Sequence, residues 1–215
     1  LVTAGPTREP LDPARFLSNR SSGKMGYALA QEAFRRGASV TLVSGPSALP
    51  APIGVERVMV QTAREMHHEV LARAESAQIV IKAAAVADFR PAKEQTDKAK
   101  KNEIDPALQL APNPDILLEL GRQKHAGQIL VGFAAESRDL LAEGRRKLQA
   151  KNLDLIAVND ISSSQSGFEV DSNQVVLLSR NGQENLPQTS KRHTAELILD
   201  RVVALRAAGA SQPTR

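Results

Sequence analysis

The feature that most constrains the fold is an alternation of short apolar segments with amphipathic, helix-like segments. The apolar segments, rich in Val, Ile and Leu, fall at residues 1–4, 40–43, 55–60, 79–84, 129–133 and 153–158. Their lengths are typical of strands, and segments with helical spacing lie between most of them. The segment Ile79–Ala84 carries apolar residues on both faces, as buried parallel strands do. The alternation predicts an α/β fold with a doubly wound, mostly parallel, Rossmann-like sheet.

The pattern changes after the last of these segments. Phe168–Val170 and Val175–Ser179 are separated by turn-forming residues, Asp171 to Asn173, which predicts an appended antiparallel hairpin. A final helix capped by Ser190 follows. We therefore expect one domain over residues 1–209 and a disordered tail over residues 210–215.

Composition narrows the classes of function. The 215 residues contain no Cys, which excludes thiolate metal sites and cysteine nucleophiles, and no apolar run reaches the ~20 residues of a membrane span. Lys and Arg number 28 against 24 acidic residues, a net charge of +4 that favours anionic partners. Aromatic residues make up only 3%, which weighs against base-stacking nucleic-acid binders. We expect a cytoplasmic protein that binds small phosphorylated ligands and has no nucleic-acid or membrane partner.

Small residues precede the first predicted helix, in the segment Ser18–Gly26. They let backbone N–H groups approach an oxyanion, and the amino end of a helix favours negative charge. The segment is not a P-loop, because Met25 replaces the Ser or Thr that would hold magnesium. From the pattern alone, a phosphate site and an ordinary helix start are equally open.

The dinucleotide fingerprint is missing from this chain. The turn Ala4–Arg8 lacks Gly-x-Gly-x-x-Gly, and the second strand ends at Ser44 where an acid would bind a ribose hydroxyl. A nicotinamide-dependent oxidoreductase is therefore disfavoured. A non-catalytic nucleotide-binding module remains an alternative to an enzyme.

Several polar residues allow both a functional and a structural interpretation. The lysines of Lys98–Lys101 could close over a polyphosphate or simply be solvated, and Asp88 could bind magnesium or a ribose, or cap a turn. Lys147 and Lys151 share one helical face and could bind phosphate jointly or be exposed. The segment Asn113–Asp115 could be only a helix N-cap followed by Pro at the first position.

Seven segments, in the same order along the chain, resemble those of bacterial phosphopantothenoylcysteine synthetases. They are residues 4–13, 18–26, 83–89, 98–101, 113–116, 131–136 and 151–154. The resemblance covers essentially the whole chain. It implies a ligase of coenzyme A biosynthesis in which CTP activates the carboxylate of 4′-phosphopantothenate as an acyl-cytidylate, releasing pyrophosphate. The amine of cysteine then gives 4′-phosphopantothenoylcysteine and CMP.

The resemblance also implies cofactors and partners. Magnesium would bridge the phosphates of CTP, with Asp88 as its protein ligand, and the bacterial-type lysine cluster favours CTP over ATP. The protein would be a homodimer. Because Leu1 already lies within a strand pattern, we expect the chain to be part of a longer protein. The resemblance implies that the rest of that protein carries a flavin-dependent decarboxylase domain.

Roles for individual residues follow from the same resemblance. Asn19 and Lys98 would be catalytic, Asn19 by a hydrogen bond to the acyl oxygen and Lys98 from a flap that closes over the intermediate. Phosphopantothenate would be bound by Asn19, Ala84, Ala85 and Asp88, and by Arg15, which would reach the substrate phosphate across the dimer interface. CTP would be bound by Ser21, Gly23, Gly26, Asp88, Lys98, Pro114, Asp115, Ile116, Leu117, Phe133, Lys147 and Lys151.

Overall fold

A computed structural model describes residues 1–98, 107–136, 139–160 and 172–210, which form five helices and fourteen strands. The helices are α1 (Lys24–Arg35), α2 (Ala63–Ala74), α3 (Ile116–Gln123), α4 (Leu140–Ala150) and α5 (Lys191–Ala210). The strands are β1 (Val2–Ala4), β2 (Arg8–Asp12), β3 (Arg15–Ser18), β4 (Thr41–Ser44), β5 (Glu56–Met59), β6 (Ile79–Lys82), β7 (Phe89–Pro91), β8 (Leu110–Pro112), β9 (Ile129–Glu136), β10 (Leu155–Asp160), β11 (Ser172–Asn173), β12 (Val175–Ser179), β13 (Gly182–Asn185) and β14 (Thr189–Ser190).

Eight of the strands form a central sheet in the order β5-β4-β1-β6-β9-β10-β12-β13. The first six are parallel to one another, and β12 and β13 join one edge in antiparallel orientation. Numbered along the chain, the parallel strands have the spatial order 3-2-1-4-5-6 of doubly wound sheets. The predicted fold class is confirmed.

Both faces of this sheet are covered, which explains the apolar character of its strands. One face packs against α1 and α5 and the other against α2, α3 and α4. A row of side chains in register crosses five strands on the α1/α5 face, and each is at most 3% exposed. This row consists of Leu42, Val2, Ile81, Val131 and Leu155.

The appended hairpin is confirmed, but with different residues from those predicted. Val175–Ser179 is β12 as expected, and it pairs with β13, whose polar residues Gly182–Asn185 carry little apolar signal at the edge of the sheet. The predicted partner, Phe168–Val170, lies outside the described residues. Ser172 and Asn173, expected in a turn, instead pair as β11 with β14.

Two further antiparallel pairs follow the central strands β1 and β6. Pro6, Pro10 and Pro13 are typical of a loop after β1, but this segment contains the β2–β3 hairpin, with a register shift between Pro10 and Asp12. Prolines are tolerated there because the hairpin lies outside the main ladder. The second pair is β7–β8, and Gln95 N–H donates to Leu11 O at 2.9 Å between the two pairs.

Hydroxyl side chains cap the starts of two helices. Ser190 accepts a hydrogen bond from His193 N–H at the start of α5, as predicted, and Thr62 accepts one from Glu65 N–H at the start of α2. Helix α5 runs to Ala210, and residues 211–215 of the expected tail lie outside the described residues. In the described part of the chain, no helix combines the length and the apolar character that crossing a bilayer requires.

Candidate functional site

The order of the parallel strands reverses between β1 and β6, and ligands of doubly wound sheets bind at the carboxyl ends of strands at such a point. Hydrogen bonds join the loops that follow these strands: Ala85 N–H donates to Gly5 O at 3.0 Å, and Thr7 N–H donates to Ala85 O at 3.2 Å. Asn19 Nδ2 also donates to Ala85 O, at 3.0 Å. Asn19 is thereby placed at the switch point.

A cavity opens beside this point. It is lined by the loop Ser21–Gly26, by Ala83–Ala85 after β6, by Phe133–Ala135 of β9, and by Asn159 and Lys191. Ala83 and Phe133 pack against the core that contains α1 and α5, so the cavity belongs to that face of the sheet. The structure therefore brings together six residues predicted to bind CTP or phosphopantothenate. These are Ser21, Gly23, Gly26, Ala84, Ala85 and Phe133.

The loop at the start of α1 needs its glycines for two different reasons. Gly23 is the N-cap with a left-handed backbone (φ 82°), and it has no side chain to occupy the start of the helix. At Gly26 an added Cβ would lie 2.5 Å from Ala4 Cβ and 2.7 Å from Thr3 O. Gly26 therefore allows α1 to lie directly on β1, which fixes the position of the loop.

A second group of predicted CTP-binding residues lies at the start of α3 and the end of α4. Asp115 caps α3 by accepting a hydrogen bond from Leu118 N–H at 3.0 Å, and its carboxylate pairs with Lys151 Nζ at 2.8 Å. Burial works against the charged form of Asp115, but the hydrogen bonds from Lys151 and Leu118 outweigh it and hold the pKa of Asp115 below its usual value. Lys147 lies one turn before Lys151.

The sequence allowed Asn113 to be the N-cap of α3, but the N-cap is Asp115. The Nδ2 of Asn113 donates to Ala87 O at 2.9 Å, and its Oδ1 accepts from Arg90 Nη1 at 3.1 Å. It thereby joins the segments before α3 and after β6. Pro114 is half-buried, whereas Ile116 and Leu117 are core residues at 2% and 5% exposure, so only their backbone groups could contact a ligand.

Sequence reasoning missed Lys82, the last residue of β6. It pairs in register with Gly132 and Thr3 and is half-buried. Burial is the main reason that the pKa of Lys82 is lowered from 10.5 to about 8. The charge of Lys151 lowers it as well, and the carboxylate of Asp115 opposes the shift. A lysine at the end of an otherwise apolar buried strand was the signal available in the sequence.

Three further predicted residues belong to neither of these groups. Arg15 Nε donates to Asp12 Oδ2 at 2.9 Å within the β2–β3 hairpin, and this interaction is the main cause that lowers the pKa of Asp12 to about 2. Lys98 is exposed at the end of a described range, and Lys100 and Lys101 lie beyond it. Asp88 is exposed, and its backbone oxygen accepts a hydrogen bond from Asn113 N–H.

Asp88 is the candidate ligand for a metal ion. No cluster of three His, Asp or Glu side chains exists in the described ranges. An exposed carboxylate such as Asp88 nevertheless fits magnesium, which commonly binds one or two carboxylates together with substrate phosphates and water.

The fold and the site together define a doubly wound α/β protein with a glycine-containing loop and a cavity at its switch point. The family described as the DNA/pantothenate metabolism flavoprotein C-terminal domain matches residues 1–205, and the chain belongs to this family.

Individual relatives agree with this assignment. The coenzyme A biosynthesis bifunctional protein CoaBC of Vibrio cholerae is 47% identical over 201 residues, which are 93% of this chain and 50% of that protein. The chain thus spans about half the length of the curated relatives it matches. A crystal structure of the C-terminal domain of a CoaBC protein superposes with a TM-score of 0.81 at 39% identity, covering 94% of this chain and 92% of that one.

A more distant structure shares the fold. Cab2 carrying H337A, in complex with phosphopantothenate-cysteine, has a TM-score of 0.78 at 18% identity, covering 97% of this chain and 86% of that one. At this identity the likeness shows the fold alone.

Proposed function

We propose that this chain is a ligase that joins 4′-phosphopantothenate to cysteine at the expense of CTP. The observation that carries the proposal is the convergence, at one switch point, of the Ser21–Gly26 loop, Ala84–Ala85 and Asn19. A polyphosphate at the loop and an acyl group at Asn19 would be neighbours in this arrangement. The names of the relatives, which place those proteins in coenzyme A biosynthesis, support the same reaction.

The proposed chemistry has two steps. A carboxylate oxygen of phosphopantothenate attacks the α-phosphorus of CTP, and pyrophosphate leaves with the electron pair of the broken P–O bond. The cysteine amine then attacks the acyl carbon, the C–O bond to CMP breaks, and the proton lost by the amine passes to water. No protein nucleophile takes part, which agrees with the absence of Cys.

The residues divide these tasks. Asn19, placed within hydrogen-bond reach of the backbone at Ala85, would bind the acyl oxygen. Lys98 would close over the intermediate and stabilise the charge that develops on pyrophosphate, because fixed positive groups act strongly on charge in a closed site. Asp88 would hold magnesium, and the ion would neutralise part of the charge of the phosphates.

We propose that CTP crosses the carboxyl edge of the sheet. The cavity lies on the α1/α5 face, whereas Asp115 and Lys151 lie at α3 and α4 on the other face. A triphosphate at the start of α1 would leave the nucleoside directed toward α3, where Asp115 and the lysines offer hydrogen-bonding groups. This placement accounts for a predicted CTP set that is divided between two faces.

Partners beyond the substrates are also proposed. Phe16, Phe89 and Leu110 are 47%, 53% and 49% exposed, and they lie on the two strand pairs that follow β1 and β6. Exposed apolar side chains on neighbouring elements favour a homodimer through these pairs, with Arg15 at its interface. The bifunctional relatives are about twice as long, which supports a decarboxylase domain in the longer protein.

An isotope experiment tests the acyl-cytidylate. Phosphopantothenate labelled with ¹⁸O in its carboxylate is incubated with CTP, magnesium and cysteine, and the products are analysed by mass spectrometry. The proposed route transfers one ¹⁸O to the phosphate of CMP. Label in inorganic phosphate, accompanied by CDP, would show an acyl phosphate instead and contradict the proposal.

A further inference from the structure

A network of hydrogen bonds joins the segment after β6 to the start of α3. Ala87 lies at its centre: its N–H donates to Thr7 Oγ1 at 3.0 Å, and its carbonyl oxygen accepts from Asn113 Nδ2 at 2.9 Å. The N–H of Asn113 donates in turn to Asp88 O at 2.8 Å. The residue before Pro114 is therefore bound to the segment after β6 through both its backbone and its side chain.

Thr7 extends this network to Asn19. Thr7 is fully buried, its N–H donates to Ala85 O at 3.2 Å, and its carbonyl oxygen accepts from Ser18 Oγ at 2.7 Å. Asn19 follows Ser18 in the chain and donates to the same Ala85 oxygen. The network thus connects the residue proposed to bind the acyl oxygen with the segment proposed to bind CTP.

Arg90 holds the side chain of Asn113 in the orientation that this network requires. Its Nη1 donates to Asn113 Oδ1 at 3.1 Å and also to Pro112 O. An amide side chain has an oxygen that accepts and an NH₂ group that donates, so a donor at Oδ1 leaves Nδ2 directed at Ala87 O. The strands joined by Arg90, β7 and β8, are only three residues long. Arg90 therefore fixes the end of a short strand pair together with the amide of Asn113.

The contacts of Asn113 and Arg90 matter for position more than for stability. The start of α3 is fixed to the core by Ile116 and Leu117, whereas Asn113 and Arg90 are half-buried polar residues whose hydrogen bonds water can replace. Attack on CTP requires the carboxylate oxygen about 3–3.5 Å from the α-phosphorus, and a misplacement of about 1 Å can lower the rate about 10²-fold. A network that links the two binding segments controls this distance.

We infer that Asn113 is a positioning residue, held by Arg90, which fixes the start of α3 relative to Asn19 and so aligns the phosphopantothenate carboxylate with the α-phosphorus of CTP. This inference rests on the proposed function. It concerns the first step, in which the carboxylate oxygen forms its bond to phosphorus as the P–O bond to pyrophosphate breaks. Both polar atoms of the Asn113 side chain are bonded within the protein, so it acts through other residues rather than on a substrate.

Two measurements separate alignment from binding: the single-turnover rate of pyrophosphate formation, and calorimetric titration with CTP alone. Asn113→Ala should lower the rate about 10- to 100-fold, whereas the Kd for CTP should stay within about threefold of the wild-type value. Asn113→Asp should be equally slow, because a carboxylate accepts from Arg90 but has no donor for Ala87 O. A normal rate in either variant, or a loss of CTP affinity as large as the loss of rate, would overturn the inference.

Arg90 provides a second set of variants, which leave Asn113 in place. Arg90→Met should lower the single-turnover rate about tenfold, whereas Arg90→Lys, which keeps a cationic donor, should retain most of it. Because Arg90 acts through Asn113, the double variant of Arg90→Met and Asn113→Ala should be no slower than Asn113→Ala alone. Losses that multiply in the double variant would contradict this role of Arg90.

Two exposed residues provide matched controls: Asn181, in the turn between β12 and β13, and Arg122, in the last turn of α3. Asn181→Ala and Arg122→Met should change neither the rate nor the Kd for CTP, and all variants should keep the thermal unfolding of the wild type. A wild-type chain that forms no pyrophosphate from CTP and phosphopantothenate would refute the proposed function itself. An active wild type with an equally fast Asn113→Ala variant would refute only the positioning role.

Discussion

At the scale of single residues, Gly26 controls the distance between α1 and β1. A methyl group at this position would lie 2.5 Å from Ala4 Cβ, closer than two carbon atoms can approach. Gly26→Ala should therefore displace α1 and its preceding loop, lowering the free energy of unfolding by about 1–3 kcal/mol and raising KM for CTP. Urea unfolding and steady-state kinetics measure the two effects. Gly182→Ala, where the added Cβ meets nothing within 4 Å, is the control and should change neither; equal effects of the two substitutions would contradict this account.

Lys82 makes the stability of the folded protein depend on pH. Its pKa in the folded protein is lowered to about 8, mainly by burial, from 10.5. Below pH 8 the folded state carries the full cost of the buried charge, and between about pH 8 and 10.5 the unfolded state binds more protons, so stability recovers as pH rises.

Removal of this charge should therefore stabilise the protein at neutral pH. We expect Lys82→Met to raise the free energy of unfolding at pH 7 by roughly 1–3 kcal/mol, with the gain shrinking between pH 8 and 10.5. Urea unfolding across this pH range measures the gain in the free energy of unfolding. Lys93→Met, at an exposed lysine, serves as the control. A gain independent of pH would indicate improved packing rather than the loss of a buried charge.

At the scale of elements, the segment after β7 carries the proposed catalytic lysine. Lys98 is exposed and makes no contribution to the core, so its loss should leave the fold intact. Lys98→Gln should lower kcat by about 10²-fold or more, because a positive group aimed at developing charge contributes at this level. Thermal unfolding should be unchanged, and Lys93→Gln on the same segment should keep normal activity. Normal turnover by Lys98→Gln would remove this lysine from the mechanism.

The elements also show what the sequence could predict. Strands such as β6, β9 and β10 were visible because burial on both faces makes them apolar throughout. The β2–β3 hairpin was missed because Pro10 and Pro13 are typical of loops, and β13 was missed because its edge position tolerates polar residues. The local amino-acid composition predicts buried strands well, but it predicts poorly the strands that lie at an edge of the main sheet or outside it.

Part of the candidate site could likewise be predicted from the sequence. The Ser21–Gly26 loop and Ala84–Ala85 occur in recognisable segments, and the structure brings them to one cavity. Asn159 and Lys191 come from positions far apart in the chain and belong to no motif. Only the tertiary arrangement shows that a buried amide oxygen and a buried lysine line the same wall.

At the scale of the whole molecule, the two strand pairs after β1 and β6 extend the carboxyl edge of the sheet and carry exposed apolar side chains. If they form the proposed dimer interface, Phe89→Asp should convert the protein from dimer to monomer in sedimentation equilibrium, because a desolvated carboxylate is unfavourable in an interface. Ile53→Asp, at an apolar residue 82% exposed elsewhere, should leave the dimer intact. A wild-type chain that is monomeric at micromolar concentration would exclude this interface.

In the proposed mechanism, one site at the switch point couples nucleotide cleavage to amide formation. The most direct measurement is pyrophosphate release with CTP, 4′-phosphopantothenate and magnesium, with and without cysteine, and with ATP in parallel. We expect at most one equivalent of pyrophosphate per site without cysteine, continuous release when cysteine is added, and little or none with ATP. CTP binding without any release, or release that does not depend on phosphopantothenate, would contradict this mechanism.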